Sequence, residues 1–248
     1  NLQPGALISE YLLDKPVLLL RDLAGVEASA TVEPGQRPGQ ADVTVTIRAQ
    51  GPQVDGSVAV DNFGARAAGP LHVSANLNVS NLLGRGDVFS ARVQTSNATR
   101  SNLYRLAYAV PVDAAGTRLA VSAARTDYAL GEQFAALGAT GKADILGVSL
   151  TRPLIRSRDN NLYGLLSLEH KKFSDQIATP ANDSERRIAS TRIGLLGNFS
   201  DLLVGAGGFN SYALTGTLGR TRLDAINLGF DQGPGGLRTA GGFGKLNL

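Results

Sequence analysis

Between Leu71 and Ser80 the chain reads LHVSANLNVS, and apolar and polar residues alternate without a break. Leu71, Val73, Ala75, Leu77 and Val79 form one set; His72, Ser74, Asn76, Asn78 and Ser80 form the other. Successive side chains of a strand point to opposite faces, so this stretch dictates a strand with one apolar and one polar face. Comparable segments recur, and strands are predicted over 54–62, 69–80, 87–97, 101–112, 117–128, 143–152, 161–173, 186–199, 208–222 and 240–248. Most exceed the ~5–6 residues typical of globular strands and match the ~9–11 that cross a bilayer at the usual tilt. The apolar faces then touch either the core of a soluble all-β domain or lipid.

Residue types favour lipid. A soluble sandwich interlocks large inward side chains to near-crystalline density. This chain has 8 Phe, 6 Tyr and neither Trp nor Met, and its apolar positions are largely Ala, Val and Leu. Medium aliphatics suit a band where nothing interlocks, and 30 glycines with small polar residues suit the inside of a wide barrel. Phe89, Tyr128, Phe173, Phe199 and Tyr212 lie near predicted strand ends, as interface girdles do, whereas Tyr104 and Tyr108 fit that pattern less well. No apolar run approaches the ~20 residues of a spanning helix.

Other functional classes find little support. The 24 Lys and Arg against 21 Asp and Glu are scattered rather than clustered, which argues against nucleic-acid binding. With no cysteine there is no thiol chemistry or disulfide, and the two histidines, His72 and His170, lack ligand-spaced acids, so no metal is expected. Gly141-Lys142 lacks the rest of a phosphate loop, no nucleophile elbow occurs, and Arg85-Gly86-Asp87 reads as part of a turn. No enzyme, catalytic residue or cofactor is expected. A chain without methionine that ends inside an alternating segment reads as a piece of a longer exported precursor.

The first fifty residues differ. Helical spacing over Lys15–Leu23, with Asp14 placed to cap and Gly25 to stop it, precedes two β-rich segments, Val26–Val32 and Ala41–Arg48. Residues 1–51 therefore read as the closing half of a small α+β module and 52–248 as part of a barrel, with no helix from Val54 onward. Connections at 81–86, 113–116, 153–160 and 200–207 fall at the module end, whereas those at 127–142, 174–185 and 223–239 are long and fall at the other, together with two short ones at 63–68 and 98–100, so the contrast holds for the later loops only. Short periplasmic turns and long extracellular loops are the rule in outer-membrane barrels.

Five segments carry a family resemblance. LLLRDLAGV (18–26) resembles the LLLxDLPGV segment of a polypeptide-transport-associated (POTRA) domain, with Ala24 in place of proline. VDNFGARAAG (60–69), NLLGRGD (81–87), RPLIRSRDNNL (152–162) and GGFGKLNL (241–248) are similar, in order, to barrel segments of two-partner secretion transporters of the haemolysin secretion/activation type. The resemblance implies a Gram-negative outer-membrane β-barrel of about sixteen strands, of which some ten lie here, preceded by periplasmic modules. It implies type V secretion of a large partner protein (adhesin, cytolysin or toxin carrier), driven by folding of that partner outside. An outer-membrane assembly insertase of the same superfamily and a simple diffusion porin are the alternatives.

On this reading the edge strand Val26, Ala28, Ser29, Ala30, Thr31 and Val32 receives the partner by β-augmentation, or merely completes the module's sheet. His72, Asn76, Asn78, Arg92, Arg105 and Arg152 face the lumen, where the arginines pair with lumenal acids or touch the passing chain. Arg156, Arg158 and Asp159 sit in a periplasmic turn, as turn stabilisers or as contacts to the module or anionic lipid. Outer-membrane lipid is expected as a further partner, on the apolar face.

Overall fold

A computed structural model describes residues 10–97, 101–178, 181–201 and 207–248, with backbone alone for 10–12 and 181–182. The chain opens with helix α1 (Glu10–Arg21), which begins earlier than the sequence indicates and carries Pro16 inside it. Gly25, at φ +69°, turns the chain into β1 (Val26–Pro34), which pairs antiparallel with β2 (Ala41–Ala49) as a two-stranded sheet. α1 lies against β1, where Val17 and Ala28 are buried.

A second sheet holds β3 (Gln53–Asp61), β4 (His72–Ser80), β5 (Val88–Ser96), β6 (Ser101–Pro111) and β7 (Arg118–Ala129). It continues through β8 (Thr140–Arg156), β9 (Asn160–Ala178), β10 (Ala181–Asp201), β11 (Gly208–Leu223) and β12 (Gly241–Asn247). All ten strands pair antiparallel with their chain neighbours, an up-and-down meander from β3 to β12. Each predicted strand is present.

Three expectations are corrected at the end away from the module. The segment 174–185 is not a long loop, because β9 runs to Ala178 and β10 starts at Ala181. The connection at 127–142 shortens to 130–139 and contains a 3₁₀ turn, Glu132–Leu137. The connection at 223–239 contains helix α2 (Ala225–Gln232), where no helix was expected. Asp224 caps α2 by accepting from the Asn227 amide. The connection at 200–207 lies mostly outside the described residues.

Residues paired across strands share a face. Val54, Val79, Phe89, Tyr108, Val121, Val148, Leu168, Thr191 and Leu218 form one cross-strand row. The adjacent row on the other face is Asp55, Asn78, Ser90, Ala107, Ser122, Gly147, Glu169, Ser190 and Gly219. The apolar face is the exposed one: Val54 is 69% exposed, Leu168 52% and Leu218 72%, whereas Ser74 and Ser167 on the polar face are buried. Among the described residues only Val17, Ala28 and Ala139 are buried hydrophobics. A sheet that shelters serines and bares leucines has no apolar core of its own, and lipid is the solvent that fits it.

Phe199 and Tyr212 meet at a tilt on the apolar face at the module end, ring centroids 6.3 Å apart, as a girdle pair would. Tyr128 and Phe173 do not belong to a girdle. Both sit on the polar face, where Tyr128 donates to Asp175 and Phe173 lies under the Arg186 guanidinium. Three rings face glycines directly across strands: Tyr128 opposite Gly141, Tyr212 opposite Gly197 and Phe243 opposite Gly219. In each pair the ring occupies the space that a glycine Cβ would take.

Candidate functional site: the joint between module and barrel mouth

Three turns of the large sheet meet the end of α1, and their sequence explains why they can. In NLLGRGD, Asn81 takes φ +57° and uses its side chain twice, donating to the Gln50 carbonyl (2.8 Å) and accepting from the Gly86 amide (2.9 Å). Gly86 is required at its position, because φ is +71° and a Cβ would lie 2.9 Å from that of Leu23. Asp87 is fully buried and accepts from the amides of Leu83 and Arg85 and from the Tyr108 hydroxyl. Burial works to raise its pKa, but these donors outweigh that effect and hold the carboxyl below its ordinary value.

The second turn, Asp113–Gly116, is closed by Asp113, which accepts from the amides of Ala115 and Thr117 and from the Thr117 hydroxyl (2.6 Å). The Thr117 hydroxyl and amide, more than burial opposes, keep this carboxyl below its ordinary pKa. Leu19 of α1 packs on Gly116, where a Cβ would meet its Cδ2 at 2.6 Å.

The third turn carries the charge. Arg156 grips the Asp22 carboxylate with Nε at 2.8 Å and Nη2 at 2.7 Å, a fork that fits both oxygens. Its Nη1 also donates to the Asn161 side chain and the Ser157 carbonyl, so it stabilises the turn and holds the module at once. Arg158 pairs with Asp14 at 2.7 Å, so Asp14 serves the joint rather than the helix cap. Asp159 is exposed, and its carbonyl accepts from the Ser200 amide. Arg118, which sequence reasoning missed, bridges the Asp22 and Gly86 carbonyls.

A bulge aims Arg156. Leu150 and Arg152 share the apolar face, and unbroken alternation would put Arg156 there too. The register slips by one residue between Pro153 and Ile155, so Arg156 pairs with Asn161 on the polar face instead. Pro153 has no amide to give the ladder, which is where such slips occur. The same parity corrects the placement of Arg152. It is exposed, opposite Gly164, on the face of Leu150 and Leu154, and is not lumen-facing.

The other predicted lumen residues share the polar face but not one cluster. Asn76, Arg92 and Arg105 form a cross-strand row, with Asn76 donating to Ser57 and Arg92 to Gln94. His72 lies 3.7 Å from Asp61, and Asn78 sits opposite Asp55 and Ser90. Glu169, not singled out from sequence, lies 2.9 Å from Lys171 and 4.0 Å from Arg192 on the same face.

In the module, the Gln50 amide bonds the Gly25 carbonyl, which fixes the β1–β2 ladder on odd-numbered residues of β1. The backbone groups of Ala28, Ala30 and Val32 therefore point to the opposite edge, which pairs with no strand among the described residues. Arg21 Nε occupies the Ala28 carbonyl there at 2.7 Å. Ser29 and Thr31 direct their backbone groups to β2 and offer a partner nothing from the main chain.

A family profile described as haemolysin secretion/activation protein ShlB/FhaC/HecB matches residues 39–210. The heme/hemopexin transporter protein HuxB of Haemophilus influenzae is 30% identical over 206 residues, 83% of this chain and 36% of that protein. HuxB of strain 86-028NP is 29% identical over the same length. The chain thus spans about a third of these curated relatives. The solved structure of CdiB from Escherichia coli superposes with a TM-score of 0.68 at 21% identity, covering 92% of this chain and 42% of that one. CdiB from Acinetobacter baumannii gives 0.50 at 15% identity, covering 89% and 44%. With its profile match, its meander and its lipid-ready outer face, the chain belongs to the ShlB/FhaC/HecB family of haemolysin secretion/activation proteins, β-barrels of the outer membrane with periplasmic POTRA modules.

Proposed function

We propose that this chain supplies part of the wall and the periplasmic mouth of a pore that exports one large partner protein, extended, across the outer membrane. The observation that carries the reading is the joint. Asp22–Arg156 and Asp14–Arg158 hold a module with an open strand edge against the turns at the barrel mouth. An extended segment that adds to the edge at Ala28–Val32 gains main-chain hydrogen bonds independent of its sequence, which suits capture of an unfolded chain. His72, Asn76, Asn78, Arg92 and Arg105 line the conduit, and the Glu169 ion pairs brace its shape. The periplasm offers no nucleotide, so folding of the partner outside supplies the drive.

The test uses Ala28→Pro and Ala30→Pro in the full-length protein. Each removes an amide from the open edge and leaves the ladder to β2 intact, whereas Ser29→Pro breaks that ladder and serves as contrast. Partner protein in the medium should fall for both edge variants while heat-modifiable gel mobility, the sign of an assembled barrel, stays as in wild type. Undiminished export by both variants sinks the proposal.

A further inference from the structure

On five successive strands the outward apolar run ends in a charged residue at the end away from the module. Leu119, Val121 and Ala123 lead to Arg125 on β7, and Leu150, Val148 and Leu146 to Asp144 on β8. Leu166 and Leu168 lead to His170 and Lys172 on β9, Ile193 and Ala189 to Arg187 on β10, and Leu218 to Arg220 and Arg222 on β11. Arg125, Asp144, Lys172, Arg187 and Arg222 form one cross-strand row on this face.

The first half of the row is balanced and the second is not. Arg125 lies 3.4 Å from Asp127 and 3.8 Å from Asp144. Lys172 and Arg187 share Glu185, at 2.9 and 2.5 Å. Arg220 and Arg222 have no acid partner among the described residues. Asp224, next in the chain, is occupied in capping α2 and in accepting from the Glu185 amide. Asp144 stands opposite Lys172 but faces Arg125, so four cations have one carboxylate, Glu185, at ion-pair distance, and Lys172, Arg187 and Arg222 stand directly opposite one another. Like charges in that position repel unless an anion lies between them.

Their height says which anion. Arg187 is 12 residues from Phe199 along β10, and Arg222 is 10 from Tyr212 along β11. At ~3.4 Å per residue and ~40° of tilt these become about 31 and 26 Å, the top of an apolar band ~25 Å tall. We infer that Lys172, Arg187, Arg220 and Arg222 bind the phosphate of an anionic glycolipid headgroup in the outer leaflet, its acyl chains lying on Leu168, Ile193 and Leu218. Guanidinium forks suit phosphate oxygens, and a soluble anion would have no use for the apolar wall beneath. The inference rests on the outer-membrane placement of the barrel and is independent of export.

The experiment titrates the full-length protein in detergent with bisphosphorylated lipid A and with the same lipid stripped of phosphate. Wild type should bind the phosphorylated lipid in preference. Taking surface attraction per cation at the usual scale, R187Q/R220Q/R222Q should bind it about 100-fold more weakly. Arg37→Gln with Arg48→Gln removes charge from the module and should change nothing. Should the triple variant fail to show heat-modifiable mobility, R222Q alone is read, with a loss of about fivefold. Equal affinity of variant and wild type, or no preference for the phosphorylated lipid, overturns the inference. Neither result touches export, which the edge variants test separately.

Discussion

Removing the Asp22–Arg156 fork should release the module from the barrel mouth, and the size of the effect follows from its geometry. Two charge-assisted bonds of 2.8 and 2.7 Å join side chains that are 33% and 15% exposed. A fully exposed pair contributes ~0.2–1 kcal/mol, and sheltered hydrogen bonds to charged groups ~1.5–3 kcal/mol each. Partial exposure places the coupling at about 1–2 kcal/mol, a factor of about 5–30 in the docked-to-released ratio. Asp22→Ala leaves the bond from Arg118 intact, because that bond goes to the backbone carbonyl. Arg156→Ala also loses bonds to Ser157 and Asn161, but a double-mutant cycle subtracts them. Spin labels at Thr31 in the module and Leu83 in the exposed turn report the two populations by their separation. Each single variant should broaden the distance distribution, the double variant should add little, and salt near 1 M, with a screening length of about 3 Å, should act in the same direction. Additivity of the single effects within ~0.3 kcal/mol would refute the claim that this pair holds the joint.

Two further outcomes are expected. Leu168→Arg, on the exposed apolar face, should cost about 2–4 kcal/mol in urea unfolding from vesicles, whereas Ser190→Arg, opposite Glu169 on the polar face, should cost under about 1 kcal/mol; the reverse order would mean that the apolar face packs on protein. Asp87 has a native pKa held below 3.8, so its contribution is complete above that value and is lost as pH falls through the lower native one. Asp87→Asn should therefore lower the thermal midpoint at neutral pH, with the gap to wild type closing only under strongly acidic conditions; a gap that closes already near pH 5 would contradict the assignment.

The strands were legible because lipid and water sit on opposite sides of a one-residue-thick wall, so burial prints directly as alternation. Where β9 and β10 rise beyond the lipid, no side needs apolar residues, and SDQIATPANDSER, with its proline and asparagine, reads as loop although most of it is strand. Helix α2 is short enough that AINLGFDQ shows barely two turns of periodicity, although Asp224 followed three residues on by Asn227 was a usable capping signal. The charge of Arg152 suggests the lumen, but its parity with Leu150 already sets it outward. Arg156 closes β8 and Arg158 lies in the turn after it, as the sequence places them to within a residue, but their partners Asp22 and Asp14 lie 134 and 144 positions away, and no local pattern encodes such a meeting.

The three ring-on-glycine pairs bear on the calibre of the pore. In a closed barrel, bore depends on strand number and on the stagger accumulated from one strand to the next. Tyr128 on Gly141, Tyr212 on Gly197 and Phe243 on Gly219 pin that stagger at the β7–β8, β10–β11 and β11–β12 seams, because a slip of one residue brings each ring against a side chain. The glycines are thus fixed points of the stagger at three seams, and an alanine at any of them would set a methyl against the ring that now locks the register.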